Sequence, residues 1–168
     1  MPFQVAVCGP NACTEQDAAH AHRVGELLAE RGAVVICGGG EGVMAAVAAG
    51  AAARGGLVIG VRADSGRAGA SADLSAVLVT NMGQARNAVI VWSADAVIVV
   101  GGSWGTLSEL ALARRRGGVP VVSIGGWRVL DGDGEPVDGI EYVHTAADAV
   151  EIACRGGQGA IGRPEATQ

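Results

Sequence analysis

Arg86 and Glu109 are the residues of this chain best suited to chemistry on a small charged ligand. An arginine forks onto phosphate oxygens, and a carboxylate can act as a base or hold a hydroxyl. Each opens a helix-forming segment that follows an apolar run: residues 75–79 lead to 84–92, and residues 96–100 lead to 107–116. This reading puts Glu109 in the first turn of its helix and aims both side chains from neighbouring strands at one sheet edge. Two glycine runs join them, Gly38-Gly39-Gly40-Glu41-Gly42 after the apolar residues 33–37, and Gly101-Gly102-Ser103-Trp104-Gly105-Thr106 after 96–100. Strand, glycine loop and helix in that order bring backbone N–H groups to an anion at a helix N-terminus. Two such loops imply one shared pocket, with phosphate as its natural guest.

Blander readings exist for each part. The glycines alone serve tight turns, Glu109 alone complements a helix dipole, and Arg86 alone is a surface cation. Gly40 to Ala45 also fits the pattern G-x-G-x-x-A, with Asp64 downstream, which would suit a dinucleotide. That pattern follows the second strand rather than the first, however, and it leaves the second glycine loop without a task.

The elements that must position these residues alternate between strand and helix. Residues 3–8 form a first strand ending at Gly9-Pro10-Asn11, and Thr14 with Asp17 makes a capping box for a helix that stops at Gly32. Residues 57–61 are a third strand, and 62–73 a polar loop long enough to act as a lid. Residues 119–123 are a sixth strand, 125–139 are turn-rich, and 145–154 are a last helix capped by Thr145. The expectation is a single-domain, Rossmann-like α/β fold over residues 1–154. Its doubly wound, mostly parallel sheet has about six or seven strands with helices on both faces, and 155–168 form a flexible tail.

Composition narrows the functions. All 12 basic residues are arginine and the net charge is −5, so no basic stripe exists for nucleic acid. Arg114-Arg115-Arg116 reads as a solvated helix end. The four cysteines lack metal-site spacing, and His20 and His22 fall on different sides of their helix, so no metal site is expected. Neither a leader nor a membrane span is apparent, which points to the cytoplasm. Small-residue helices such as 45–53 and 88–92 leave apolar surface for a homo-oligomer, a dimer or tetramer.

Residues 102–109, Gly-Ser-Trp-Gly-Thr-Leu-Ser-Glu, resemble the P-G-G-x-G-T-x-x-E signature of the lonely-guy family of cytokinin-activating phosphoribohydrolases, once mislabelled lysine decarboxylases. Arg86 precedes Glu109 by 23 positions, as in that family, and Gly38 to Met44 resembles its other glycine motif. The opening Val5 to Pro10, the segment Gly55 to Val61, the step Ala85-Arg86-Asn87 and the stretch Val143 to Asp148 are more similar to the molybdenum-cofactor carrier proteins, which also keep the arginine and glutamate. Gly101 and Ser103 stand where the hydrolase signature has proline and glycine. The resemblance implies a site of Gly9, Gly39, Gly40, Gly42, Met44, Arg86, Asn87, Gly102, Ser103, Gly105, Thr106 and Glu109. It would hold a molybdopterin-type cofactor or a nucleotide, with no other cofactor required. In the hydrolase alternative, Arg86 and Glu109 are catalytic and a nucleoside 5′-monophosphate loses its base to release ribose 5-phosphate. Lysine decarboxylation is not expected.

Overall fold

β-Branched and small apolar residues fill strands that are buried on both faces, the pattern of a parallel sheet covered by helices. The computed structural model describes residues 1–155. In chain order the elements are β1 (Gln4–Cys8), α1 (Glu15–Glu30), β2 (Val34–Cys37), α2 (Val43–Ala52), β3 (Val58–Arg62), β4 (Ala76–Val79), a 3₁₀ turn (Gly83–Ala85), α3 (Arg86–Trp92), β5 (Ala96–Val100), α4 (Trp104–Arg116), β6 (Val121–Ile124), β7 (Glu141–Val143) and α5 (Ala146–Cys154). The strands make a 7-stranded sheet in the order β4-β3-β2-β1-β5-β6-β7, and all six pairings are parallel. The fold is therefore the expected α/β class, with a wholly rather than mostly parallel sheet.

Alternation along the strands splits the core in two. Val5, Val7, Val35, Ile98 and Val100 face α1, α2 and α5, whereas Ala6, Cys8, Ile36, Val97 and Val99 face α3 and α4. Helix α1 starts at the anticipated capping box, with Thr14 Oγ1 accepting the Asp17 N–H and the Asp17 carboxylate accepting the Thr14 N–H, each at 3.1 Å. Helix α2 lies close on α1. A Cβ at Gly50 would sit 1.9 Å from the His22 carbonyl oxygen, and one at Gly25 would sit 2.2 Å from that of Val47. Gly50 of α2 is thus used within the chain, whereas Ala45, Ala46 and Ala49 stay half-buried and Ala52 and Ala53 exposed.

Three other expectations change. Helix α4 begins three residues earlier than 107, because Ser103 supplies its N-cap, so Glu109 lies in the second turn and its charge is not set by the helix end. Strands β4 and β5 are not neighbours: β4 is the sheet edge, separated from β5 by β3, β2 and β1. The chain must return across the sheet to start its second half, and α3 makes that crossing. Strand β7, only three residues long and half-exposed, carries no periodicity that would reveal it. The predicted tail lies outside the described residues beyond Arg155. No described helix is long and apolar enough to cross a membrane.

Candidate functional site

A doubly wound sheet opens a crevice where successive strands leave in opposite directions, at the carboxyl ends of the strands. Here that point lies between β1 and β5. A cleft of about 150 Å³ occupies it. Gly9, Pro10 and Asn11 line it from the end of β1, Met44 from α2, Gln84, Arg86 and Asn87 from the start of α3, and Ser103, Gly105, Thr106 and Glu109 from α4. Gly9 is required by packing, since a Cβ there would meet Val43 Cγ1 at 2.3 Å and the Val100 carbonyl at 2.7 Å.

Arg86 crosses toward the first glycine loop. Its Nη1 donates to the Val61 carbonyl oxygen at 2.7 Å, and the same nitrogen would lie 2.5 Å from a Cβ at Gly38. Its Nε is buried without a protein partner. Glu109 is buried, 7% exposed, and no salt bridge joins it to Arg86 among the described residues. Desolvation pushes its carboxyl up to about 7, against the opposing pull of the Arg86 charge and a hydrogen bond from the Cys8 thiol. Burial likewise holds the Cys8 thiol well above its ordinary range, helped by the Glu109 charge, and pushes Cys37 up to about 11. Both thiols are therefore neutral hydrogen-bonding groups rather than nucleophiles.

The two helix N-termini differ in what they offer an anion. At α4, Ser103 Oγ accepts the Thr106 N–H at 3.2 Å and lies 2.9 Å from the Thr106 hydroxyl, so the serine satisfies one donor that a glycine would leave open. A Cβ at Gly105 would find only Ser103 Oγ, 3.8 Å away, which leaves the rest of that turn open to the cleft. At α2, the Val43 N–H goes to the Pro10 carbonyl at 3.1 Å. Gly42 has φ +60°, and its Cβ would lie 2.1 Å from the Asn11 carbonyl, so this glycine serves the approach of two chain segments.

Of the residues singled out in the sequence, Gly9, Met44, Arg86, Asn87, Ser103, Gly105, Thr106 and Glu109 meet at the cleft. The other four do not line it. Gly39 packs on Gly60 with 2.9 Å from its Cβ position to Gly60 Cα, Gly40 lies behind Asn11 and Met44, Gly42 is covered as described, and Gly102 sits under Trp127. Pro10, Asn11 and Gln84 are additions. Their signal was present: each lies in a turn just past a strand, where the crevice of this fold must be.

Sheet order, glycine turns and the Arg86–Glu109 cleft together define a Rossmann-like protein of the lonely-guy type. The family model described as the SLOG cluster4 family matches residues 2–150, and the chain belongs to that family. An uncharacterised protein of Archaeoglobus fulgidus is 43% identical over 142 residues, covering 81% of this chain and 93% of its own. Among solved structures, the molybdenum cofactor binding protein of Rippkaea orientalis superposes with a TM-score of 0.80 at 29% identity, covering 90% of this chain and 94% of its own. The molybdenum cofactor carrier protein of Chlamydomonas reinhardtii gives 0.76 at 26% identity, covering 89% and 94%.

Proposed function

We propose that this protein binds a phosphorylated small molecule, a molybdopterin-type cofactor or a nucleotide, and carries it without chemical change. The observation that carries this reading is the cleft itself: about 150 Å³, lined by one guanidinium, one open helix N-terminus and one buried carboxyl. Pockets that enclose a drug-sized ligand hold roughly 300–1,000 Å³. A cleft this size takes the phosphate end and leaves the remainder at the mouth, beside Asn11 and Gln84, where a recipient can reach it. Likeness to two proteins described as binding or carrying molybdenum cofactor supports that reading.

The residues fit such a cargo. Arg86 has an unpartnered buried Nε, Gly105 presents backbone with no side chain in the way, and Asn87 and Thr106 add neutral hydrogen-bonding groups. Arg86 would neutralise the phosphate, the α4 terminus would donate N–H groups to it, and Glu109 would accept from a hydroxyl or ring N–H. The protein is proposed to work as a homo-oligomer in the cytoplasm. Mass spectrometry of ligand copurified with the native protein tests the reading: a pterin or nucleotide phosphate is expected, and a protein isolated without either, and binding neither afterwards, would remove it.

One observation favours a second reading. A carboxyl poised at about 7 is suited to general acid–base work at neutral pH. In the hydrolase alternative, Glu109 assists cleavage of the N-glycosidic bond of a nucleoside 5′-monophosphate by activating water and stabilising the oxocarbenium-like sugar, while Arg86 holds the phosphate. The carrier reading is preferred on the likeness to two solved proteins described as binding or carrying molybdenum cofactor. Release of ribose 5-phosphate from AMP decides between the two.

A further inference from the structure

The cleft holds an acceptor as well as donors. Among the described residues that line it, Arg86 is the one cation and Glu109 the one acid, and no salt bridge joins the two. The Cys8 thiol donates to the Glu109 carboxyl. A carboxylate has about four acceptor sites, so one thiol leaves most of them open. At about 150 Å³ the cleft equals roughly five water volumes of about 30 Å³ each. A tetrahedral phosphoryl group takes up most of that space, so an anion drawn in by Arg86 also comes against Glu109. Two oxygen acceptors brought together repel unless a proton lies between them.

We infer that Glu109 is a specificity-determining residue that selects the protonation state of the bound group: the cleft takes a phosphoryl group whose proton is shared with the Glu109 carboxylate, and rejects tetrahedral anions with no proton to share. The hydroxyl that Glu109 accepts from is then the phosphoryl group's own. The ligand class is a hydrogen phosphate or a phosphomonoester in its monoanionic form, as opposed to a sulfate, a sulfate ester or a fully ionised monoester. This rests on the phosphate-ligand reading above and sharpens it. A phosphomonoester loses its second proton near about pH 6, so at neutral pH the dianion takes one proton from solvent as it binds. The groups facing Glu109 leave that proton to it and the ligand. The Arg86 guanidinium of α3 does not titrate, and burial holds the Cys8 and Cys37 thiols of β1 and β2 neutral. Below about pH 7 the Glu109 carboxyl keeps its own proton and can donate it to any oxyanion, so the selection operates above that value.

Calorimetric titration of the full chain with inorganic phosphate and with sulfate tests the inference. At pH 8 the two ions are dianions of similar size and shape, and only phosphate carries a proton. Wild-type protein should then bind phosphate at least about tenfold more tightly than sulfate, the worth of one charge-assisted hydrogen bond. Sulfate does not change its charge between pH 8 and pH 5, yet its affinity for wild-type protein should rise about tenfold over that range as the carboxyl becomes a donor. Glu109→Gln offers an N–H donor at every pH. It should bind sulfate at pH 8 about tenfold more tightly than wild type does, with equal affinity at pH 5. If Glu109 does not meet the anion, wild-type protein will bind both ions equally at pH 8, or its sulfate affinity will be indifferent to pH and to the substitution. Either pattern overturns the inference, and the wild-type pH series decides alone should the variant not fold. Binding of neither ion also overturns it, and AMP titrated beside them then shows whether the phosphate-ligand reading survives.

Discussion

The Arg86 guanidinium is held by the Val61 carbonyl oxygen, 2.7 Å from Nη1, so a side chain from the helix that crosses the sheet is fixed by the strand beside the first glycine loop. This contact pre-orients the cation before a ligand arrives, which lowers the entropy lost on binding. Arg86→Lys keeps the charge but loses the planar fork that can serve the carbonyl and a phosphate together. Its affinity for AMP should fall about tenfold, and that of Arg86→Gln about a hundredfold, in calorimetry.

Glu109→Gln separates holding from catalysis. If the protein is a carrier, wild-type protein releases no measurable ribose 5-phosphate from AMP, and the variant changes affinity only modestly, tightening it above pH 7 where the wild-type carboxylate repels the phosphate. Clear wild-type release that the variant lowers a hundredfold or more would establish the hydrolase.

The same carboxyl gives stability a pH dependence. Its folded value of about 7 lies above the ordinary 4.5, so between these values the folded chain retains a proton that the unfolded chain has lost. The group's contribution is complete below about pH 4.5 and is lost as the pH rises toward 7, after which it is level. Glu109→Gln lacks this loss. Its stability relative to wild type should therefore improve across that window, by an amount on the order of 2–3 kcal/mol, in denaturant titrations at pH 5 and pH 8.

Two glycines should respond in opposite ways. Gly105→Val projects into open cleft, with only Ser103 Oγ near its Cβ, and should fold normally while losing nucleotide affinity. Gly42→Ala meets the Asn11 carbonyl at 2.1 Å in a backbone with φ +60°, and should destabilise the fold by roughly 2–4 kcal/mol. Circular dichroism melting with calorimetry on both variants checks the contrast.

Ser103→Gly restores the glycine of the hydrolase signature and frees the Thr106 N–H that Ser103 Oγ now accepts. Because glycine is itself a tolerated N-cap, the helix should lose only a few tenths of a kcal/mol. Inorganic phosphate should bind several-fold more tightly to this variant in calorimetric titration, and unchanged binding would show that Thr106 N–H does not face the anion.

Much of this architecture was legible in the residues. β-Branched runs ending in glycine marked the carboxyl ends of β2 and β5, and the Thr14–Asp17 and Thr145–Asp148 caps are local pairs that fix where α1 and α5 begin. Local chemistry also made Arg86 and Glu109 candidates. Tertiary packing decided what pattern could not. Whether a glycine faces a ligand or another chain segment depends on long-range contact, so Gly42 and Gly9 turned out to accommodate Asn11 and Val43. Strand order is equally non-local: it parts β4 from β5 by three strands and leaves α3 and the length of the Arg86 side chain to bring the cation back. The raised carboxyl of Glu109 follows from its burial, which outweighs the opposing pull of Arg86 and Cys8, a balance among three separate elements that no single stretch of sequence contains.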